Sequence, residues 1–586
     1  MWTLKGTAVM LITTLLAMTV VPSVSSQEEA PYAEWTFMIY LDADNNLESA
    51  GIEDMEEIET VGSTDEVNII VQMDRWKGEE GDDDTSNGDW TGAKRFYMEK
   101  GSDPGNIESM ELDDLGEVNM GDPATLIDFA VWGMESYPAS NYALVMWDHG
   151  GAFWGVCWDD DVPGSNEADM INMTEMRHAV ESIYLHRGAE RLEFFGFDAC
   201  LMAQVAVLYQ LKDYVSVSDA SGFSEPGDGW PYETILSDLV KTPTMDEAQL
   251  GRVVAKRYVE SYSDSQGDPD DSPAITMSAF DMTRFDDLVL VLDRFSEEMA
   301  YSVRRYAPHI WGARERCSSY DMLNVGPFDF TKYSMYDVYD FTDKLDDRLV
   351  SVLPMNSPLI TLCEDVRDAL EDVTILHENH LLDPQAQVFG LSMYFPNKED
   401  KVDIRQLPTT YDVRYEETRF AREHLWDDFL LSYYNWENVQ DSFPVISISW
   451  PAYNHTFDSS DPSPSIMGYA YDREEITKVE IRIDGGDWVA IPGSNGQGKI
   501  PWLYTLDIME MEKGPHIVEV RAHDSLGDSQ PGHVTEPLKL MVNVEDEIDT
   551  VSTASQAFDI ALSVLAVLFI VAGIALGVVL FRGRRG

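Results

Sequence analysis

The chain has 586 residues, of which 106 are Asp or Glu and 40 are Lys or Arg, so its net charge at pH 7 is −66. A charge of this size and sign repels phosphate backbones and argues against nucleic acid as a partner. Hydrophobic residues make up 44% and aromatic residues 11%, which is ordinary for folded proteins, and the length predicts two or more domains.

The N-terminal segment has the pattern of a secretory signal peptide over residues 1–26. One Lys precedes an apolar run from about Ala8 to Val21, and small residues follow as far as Ser26. The run is too short to favour a membrane span. We expect cleavage before Gln27, with an uncleaved N-terminal anchor as the alternative.

Residues 27–440 form the first predicted domain, of the α/β class with a mainly parallel central sheet. Short apolar runs alternate there with amphipathic stretches, which is typical of that class. Asn45-Asn46 and Asp122-Pro123 mark the starts of two predicted helices. The apolar runs lack alternation, as in strands covered on both faces. The four clearest predicted strands span 35–41, 67–73, 142–147 and 192–197.

Two chemically reactive side chains follow two of these strands. His149 comes after the strand at 142–147, and Cys200 comes after the strand at 192–197. The carboxyl ends of neighbouring parallel strands meet at one edge of a sheet, so we expect the two residues to lie together. Both also have a structural alternative, because Cys is often buried and a lone His is often only a hydrogen-bonded polar residue.

A Cys and a His at one site predict acyl transfer. An imidazole can take the thiol proton, and its ordinary pKa of about 6.5 suits that task. The backbone N–H groups of Gly150 and Cys200 are the candidates for an oxyanion hole, because glycine lets a substrate oxygen approach closely. Cys200 is therefore the predicted nucleophile and His149 its predicted base.

Five sequence blocks resemble, in order, the blocks of the clostripain family of cysteine peptidases. They are FMIYLDADNNLE, GEVNMGDPATLIDF, YALVMWDHGGAFWGV, FDACLMA and EPGDGWPY. The order His-Gly, about fifty residues, then Ala-Cys is also similar to caspases, gingipains and legumains. The resemblance implies a caspase-like α/β sandwich, hydrolysis of peptide bonds and a dyad of Cys200 with His149.

The resemblance also implies a preference for Arg or Lys before the scissile bond. A guanidinium pairs in fork geometry with a carboxylate at the base of its pocket. Asp198 is the first candidate for that carboxylate, with a turn-stabilising role as the alternative, and Asp228 is the second candidate. The stretch SVSDASGFSEPGDGW is longer than the usual link in the family, so we expect a different loop at this pocket.

The resemblance further suggests self-cleavage between the His and Cys blocks, for which Arg177 and Arg187 are the candidate sites. Residues 159–161, three Asp in a row, can bind calcium or form a solvated loop. The 11 His form no zinc-binding pattern. No cofactor is expected to be required, no metal-ligating residue is assigned, and calcium is the one metal considered.

Only four Cys occur, at positions 157, 200, 317 and 363. These are too few for a fold built on disulfides, so the fold must rest on its hydrophobic core. In an oxidising exterior Cys317 and Cys363 can pair, although their spacing alone does not establish a disulfide.

Residues 443–545 form the second predicted domain, an immunoglobulin-like β-sandwich. Alternating strands such as KVEIRI and HIVEVRA are separated by turns at Asp484-Gly485-Gly486 and Lys513-Gly514. The domain is predicted to act as a spacer or a binding module. Residues 546–559 then form a polar juxtamembrane linker.

The C-terminal segment predicts a single transmembrane helix at residues 560–581. It is free of charge and exceeds the roughly 20 residues that a helix needs to cross the hydrocarbon core. Arg582, Arg584 and Arg585 follow in the tail at 582–586, which marks that side as cytoplasmic. The catalytic domain is thus predicted to lie outside the cell.

Together these features predict a cell-surface cysteine endopeptidase that acts on proteins or peptides. One alternative is a catalytically inactive surface adhesin or binding protein. Another is a peptide ligase that uses the same dyad. The sequence makes no prediction of the oligomeric state.

Overall fold

The computed structural model of the chain describes residues 32–77, 84–102, 105–165, 167–263, 274–320, 335–380, 388–396, 415, 418–435, 445–450, 455–457, 464–508, 511, 513–525 and 538–544. The predicted signal peptide, linker, membrane span and tail lie outside these residues. Within the described ranges, no helix is long and apolar enough to cross a membrane.

The first predicted domain is built of alternating strands and helices. Its strands are β1 (Ala33–Ala43), β2 (Val67–Arg75), β3 (Ala93–Tyr97), β4 (Met110–Gly116), β5 (Ala139–Trp147), β6 (Gly155–Asp159), β7 (Asp169–Asn172), β8 (Leu192–Asp198), β9 (Val215–Ala220), β10 (Ile275–Asp281), β11 (Met335–Asp337), β12 (Thr374–His380) and β13 (Ser392–Tyr394). Its helices are α1 (Glu48–Val61), α2 (Pro123–Ser136), α3 (Met173–His186), α4 (Val205–Leu211), α5 (Tyr232–Lys241), α6 (Glu247–Ser263), α7 (Phe285–Arg314), α8 (Val338–Leu349), α9 (Pro358–Val373), α10 (Arg419–Glu423) and α11 (Trp426–Asn435).

A nine-stranded sheet forms the centre of this domain, in the order β12-β10-β9-β8-β5-β1-β2-β3-β4. The five strands from β9 to β2 in that order run parallel. Antiparallel pairs flank them, β10 and β12 at one edge and β3 and β4 at the other. The predicted α/β class with a mainly parallel sheet is confirmed, and the four predicted strands are β1, β2, β5 and β8.

Both faces of the central strands are covered, which explains their unbroken apolar runs. In β1, Phe37 and Ile39 belong to the core on one face, whereas Met38 and Tyr40 belong to the core on the other. Helix α1 packs on the first face and α2 on the second. Each such side chain contributes roughly 1.5–3 kcal/mol by leaving water, so the strands that carry the site form a rigid base.

The second predicted domain is all-β over its described residues. Its strands are β14 (Val445–Trp450), β15 (His455–Phe457), β16 (Ser465–Ile483), β17 (Val489–Ala490), β18 (Gly496–Thr505), β19 (Gly514–Asp524) and β20 (Leu538–Val544). The first half of the long strand β16 pairs with β14 and β18, and its second half pairs with β17 and β19. A separate apolar core lies between these strands.

The four cysteines are all free thiols. Cys317 and Cys363 are both buried, and the Cys317 thiol donates a hydrogen bond to the carbonyl oxygen of Arg314 at 3.2 Å. The disulfide considered for this pair is therefore absent from the structure, and the domain is held together by its apolar core.

Candidate active site

Strands β5 and β8 are parallel neighbours that bring His149 and Cys200 to one edge of the sheet. Trp147, the last residue of β5, is paired in register with Asp198, the last residue of β8. His149 and Cys200 each follow two residues later. The sheet thus carries both side chains at the same height beyond its carboxyl edge, where ligands of parallel sheets bind.

Gly150 fits closely against the backbone of Cys200. A Cβ atom on Gly150 would lie 2.8 Å from the Cys200 nitrogen and closer still to its carbonyl oxygen. Only glycine allows the two loops to approach in this way. The backbones of the two predicted oxyanion donors therefore lie side by side. Leu201, directly after the thiol, has a φ of 66°, a strained value for a leucine and one found most often at functional sites.

The His149 ring is held by Asn46. Its Nε2 atom lies 3.0 Å from the Asn46 Oδ1 atom. With the amide in this orientation Nε2 carries the proton, so Nδ1 is the basic nitrogen. Burial lowers the pKa of His149 below its ordinary value. Among the described residues His149 has no hydrogen bond to Cys200, and such bonds are often long in unliganded enzymes.

The Cys200 side chain is partly buried, and its sulfur accepts a hydrogen bond from the Glu225 N–H at 3.2 Å. Burial is the main effect on this thiol and raises its pKa to about 11. The bond from Glu225 opposes that rise, whereas the charges of Asp148 and Asp198 add to it. At neutral pH the thiol is protonated and the imidazole is neutral, so the resting pair carries no charge.

Three acidic side chains, Asp54, Asp198 and Glu225, are called here the thiol-side cluster. Asp198 and Glu225 interact with the Cys200 thiol, and Asp54 interacts with Asp198. Burial raises the pKa of Asp198 to about 7. It also raises the pKa of Asp54 and of Glu225 well above the ordinary carboxyl range, and the charge of Asp198 adds to both shifts. The carboxyl groups of Glu225 and Asp198 are in contact.

Two of these three carboxyl groups are fixed by hydrogen-bond donors. The Tyr232 hydroxyl donates to Asp198 Oδ2 at 2.9 Å and the Trp230 N–H donates to the same atom at 3.3 Å. Trp147 Nε1 donates to Asp54 Oδ2 at 2.6 Å. For Glu225, a backbone hydrogen bond from the Ala199 N–H opposes the rise in its pKa. Among the described residues, no Lys or Arg forms an ion pair with these three carboxyl groups.

Asp228, the second candidate for substrate binding, lies at the rim of this cluster. Its side chain is exposed. The next residue, Gly229, has a φ of 54°, and a Cβ atom there would lie 3.2 Å from Asp198 Oδ1. The turn that carries Asp228 therefore covers Asp198. Of the two candidates, Asp198 is buried and Asp228 is exposed.

The sequence indicated Asn45 and Asn46 only as the start of a helix. Helix α1 begins at Glu48, and Asn45 Oδ1 accepts a bond from the Leu47 N–H at 2.8 Å, as a turn residue would. Its Nδ2 atom also donates to Asp148 Oδ1 at 2.8 Å. The roles of Asn45, Asn46, Asp148 and Glu225 around the dyad were missed. Their one signal is that each lies in a loop near the same sheet edge.

Of the three Asp at 159–161, only the first is buried. Asp159 ends β6, Asp160 is exposed, and Asp161 lies 3.8 Å from the Lys77 ammonium. Asp159 meets two further buried carboxylates, Asp44 and Asp74, and the candidate ligand atoms of the three lie within 4.8 Å of one another. They are called here the Asp44 cluster.

The candidate cleavage residues lie in and just after helix α3. Arg177 is within the helix and lies 3.4 Å from Glu181 Oε2. Arg187 caps its C-terminus and donates to Glu193 Oε1 at 2.8 Å. Cleavage is usually easiest in exposed loops, so the helix end must open before either bond is cut. Self-cleavage at these positions stays a prediction.

A sequence profile of the clostripain family matches residues 39–436. The chain belongs to the clostripain family. The resemblance carried by the five sequence blocks is thereby confirmed, and it places the dyad candidates in a family of cysteine endopeptidases. The profile ends before the second domain, whose all-β unit therefore lies outside the family match.

Among characterised members of the family, the chain is similar to clostripain of Hathewaya histolytica, with 30% identity over 242 residues. The match covers 37% of this chain and 44% of that protein, so it spans less than half of the relative's length. A secreted cysteine protease of Bacteroides thetaiotaomicron, solved with an irreversible peptide inhibitor, has a TM-score of 0.46 and 17% identity, covering 66% of this chain and 98% of that one. An inactive protease zymogen of Parabacteroides distasonis has a TM-score of 0.43 and 18% identity, covering 62% and 93%.

Proposed function

We propose that this clostripain-family chain is a cysteine endopeptidase in which Cys200 is the nucleophile and His149 the general base. The proposal rests on one observation. Trp147 and Asp198 are paired in register on the neighbouring parallel strands β5 and β8, and His149 and Cys200 each follow two positions later. The close fit of Gly150 against Cys200 supports it. Family membership supplies the reaction class.

The neutral resting pair favours a general-base mechanism. The Cys200 sulfur attacks the carbonyl carbon of the scissile peptide while its proton passes to His149 Nδ1. The Nε2–H bond to Asn46 keeps the ring in the required tautomer. The Glu225 N–H, already bonded to the sulfur, stabilises the negative charge that develops there.

The N–H groups of Gly150 and Cys200 receive the oxyanion as the carbonyl oxygen becomes negative. The imidazolium of His149 then gives its proton to the leaving amine, which departs and leaves an acyl-enzyme. A water molecule, deprotonated by the same imidazole, attacks the acyl carbon and releases the thiol. Hydrolysis of the peptide bond is the net result.

The thiol-side cluster favours a basic residue before the scissile bond. Asp54 and Asp198 are buried, and Glu225 is partly buried with both carboxylate oxygens enclosed. Within the described part of the chain none of the three forms an ion pair with Lys or Arg. A guanidinium or ammonium group from the substrate supplies the missing positive charge. Asp198, fixed by Tyr232 and Trp230, is proposed to bind it, and Asp228 is proposed to contact the substrate at the rim.

The proposed location is the cell surface. It rests on the signal-peptide pattern of residues 1–26 and on the uncharged run at 560–581 with its following arginines. The all-β unit is proposed to be an immunoglobulin-like spacer between membrane and peptidase. Extraction with alkaline carbonate tests the anchor: the full chain should stay in the membrane pellet, and a chain ending at residue 559 should not.

The test of the activity is cleavage of a fluorogenic peptide with Arg before the scissile bond by the full-length protein. Cys200→Ala should reduce kcat/KM by at least about 10⁴-fold, because the covalent pathway is lost. Cys363→Ala, which removes another buried thiol, is the matched control and should retain activity. Equal rates for the native protein and Cys200→Ala would refute the proposal.

A further inference from the structure

Glu225 contacts both the nucleophile and the carboxylate proposed to bind the substrate. Its backbone N–H donates a hydrogen bond to the Cys200 sulfur at 3.2 Å. Its side-chain carboxyl group is hydrogen-bonded to that of Asp198. Both carboxylate oxygens of Glu225 are enclosed, although the residue as a whole is only partly buried. One residue therefore joins the two parts of the site.

The bond between these two carboxyl groups requires a proton. Ionised carboxylates are acceptors only, so two of them can bond to each other only when one is protonated. Asp198 is the better anion, because the Tyr232 hydroxyl and the Trp230 N–H both donate to its Oδ2 atom. A carboxylate that accepts two such bonds keeps its charge more easily. The proton therefore belongs on Glu225, which donates it to Asp198.

The pKa values of the pair agree with this assignment. Burial raises the pKa of Glu225 well above the ordinary carboxyl range, and the charge of Asp198 adds to the rise. Burial raises the pKa of Asp198 to about 7, and the bonds from Tyr232, Glu225 and Trp230 oppose that rise. Above about pH 7 the pair thus carries one proton and one negative charge.

The titratable groups around the pair are acids, phenols and the thiol. They are Cys200 beyond β8, Asp54 and Glu57 from α1, Tyr232 from α5, Tyr258 and Tyr262 from α6, and Asp228 from the loop of Glu225 itself. Within the described ranges no Lys or Arg forms an ion pair with Asp198 or Glu225. The pair thus holds a proton where a basic side chain would otherwise balance its charge.

A buried hydroxyl group that interacts with Glu225 lacks a partner. The Tyr258 side chain is fully buried, and its hydroxyl forms no hydrogen bond with any described residue. Burial is the first cause of its raised pKa, and the charge of Glu225 is the second. A buried donor without an acceptor is costly. Loss of the Glu225 proton turns that carboxyl group into an acceptor, which the Tyr258 hydroxyl needs.

We propose that Glu225 is a specificity residue of this site, and that its proton is displaced by the cation of a basic side chain bound before the scissile bond. The O–H bond of Glu225 breaks, the proton passes to solvent, and the guanidinium or ammonium group lies between the two carboxylates. A guanidinium has N–H groups for both carboxylates in fork geometry. The inference rests on the proposed function, because it takes Asp198 as the carboxylate that binds the substrate.

The exchange keeps the charge beside the thiol constant. One positive charge leaves as another arrives, so the Cys200 sulfur is exposed to the same net charge before and after binding. An uncharged side chain leaves the proton in place and finds Asp198 already bonded to Glu225. Discrimination against uncharged side chains therefore depends on Glu225 as well as on Asp198.

The test counts protons by isothermal titration calorimetry of the full-length Cys200→Ala protein, which binds a peptide without cleaving it. Titrations at about pH 8 in phosphate and in Tris, whose ionisation enthalpies differ, give the number of protons released. A blocked Arg peptide should release about 0.5–1 proton, and the same peptide with citrulline in place of Arg should release none.

Glu225→Gln in the same background is the decisive variant. The amide keeps the shape of the side chain and its bond to Asp198, but it has no acidic proton to lose. Proton release on binding of the Arg peptide should fall below about 0.2. The Kd of the Arg peptide should rise about 10-fold or more, because one of two carboxylates is lost, whereas the Kd of the citrulline peptide should stay within about 2-fold.

The matched control is Asp228→Asn, which removes the exposed carboxylate of the same loop and should leave proton release unchanged. Tight binding of the Arg peptide without proton release, or release that persists in Glu225→Gln, would overturn the inference and leave the proposed preference for Arg intact. Equal binding of the Arg and citrulline peptides would overturn both. The two failures are therefore distinguishable.

Two further readouts separate specificity from structure. Infrared difference spectra of the Cys200→Ala protein should lose the C=O band of a protonated carboxyl group when the Arg peptide binds, and a band that persists would overturn the inference. With Cys200 present, Glu225→Gln should raise KM for the Arg peptide about 10-fold and change kcat less than about 3-fold, because the N–H bond to the sulfur is kept. A fall confined to kcat would show that the Glu225 side chain acts on the nucleophile and not on specificity.

Discussion

Two buried acidic clusters lie near the same edge of the central sheet, and they differ in their hydrogen-bond donors. In the thiol-side cluster, Asp54 and Asp198 accept bonds from Trp147, Trp230 and Tyr232. In the Asp44 cluster, Asp44 accepts no bond at either carboxylate oxygen. Each cluster contains three carboxyl groups. Hydrogen bonds fix the orientation of Asp54 and Asp198 in the first, whereas none is accepted by Asp44 in the second.

The difference bears on which cluster can bind a cation from the substrate. A carboxylate held by tyrosine and backbone donors keeps one orientation, as a planar guanidinium with its fork of N–H groups requires. The Asp44 carboxyl group accepts no bond from such donors. Of the two clusters, the thiol-side cluster is therefore the one we propose to bind a basic side chain of the substrate.

Among the tests of this comparison, the largest expected effect comes from removing the charge of Asp198. Asp198→Asn should reduce kcat/KM for peptides with Arg before the scissile bond by about 30- to 5,000-fold, because the loss of one partner of a buried charge pair costs roughly 2–5 kcal/mol. Steady-state kinetics on the fluorogenic peptide measure it. An Arg preference unchanged by this substitution would contradict the role of Asp198.

One control sharpens that result. Asp228→Asn removes an exposed carboxylate and should cost no more than about 5-fold, as exposed ion pairs contribute about 0–1 kcal/mol.

The next effect in size concerns pH. Burial raises the pKa of Asp198 to about 7, so the group is neutral below that pH and ionised above it. For an Arg peptide, kcat/KM should rise up to about 100-fold from pH 5 to pH 8 as the carboxylate forms. A peptide with citrulline in place of Arg keeps the shape without the charge and should rise far less. Parallel profiles for the two peptides would remove Asp198 from the specificity pocket.

A smaller effect tests the loop that lies between the clusters. Asn46→Ala removes the acceptor of the His149 Nε2–H bond and should lower kcat about 5- to 10-fold, the value of one hydrogen bond, with little change in KM. Asn46→Asp keeps an acceptor and should restore most of the rate. A change confined to KM would indicate that Asn46 contacts the substrate instead of positioning the ring.

The parallel centre of the sheet could be predicted from the sequence because its strands are buried on both faces. Continuous apolar runs at β1, β2, β5 and β8 follow from that burial, and the polar residues that end them stand out. The adjacency of His149 and Cys200 then follows from strand order. The exposed strand β4, rich in acidic residues, carries no such signal and was missed.

The surroundings of the dyad could not be predicted for a different reason. Asn45 has a local role as a turn residue that accounts for its presence, and its bond to Asp148 exists only in three dimensions. Likewise, three consecutive Asp at 159–161 indicate a solvated loop, and only the fold buries one of them beside Asp44. Long-range polar contacts leave no periodic trace in a sequence.

The pairing of Trp147 with Asp198 determines what a cut in the folded chain between His149 and Cys200 would do. His149 and Cys200 are held by hydrogen bonds between strands, and the chain that joins them runs elsewhere through β6, β7 and α3. A cut in that connection would divide the polypeptide without separating the reactive pair. The pairing of β5 with β8 would therefore keep His149 and Cys200 together in a two-chain form of the protein.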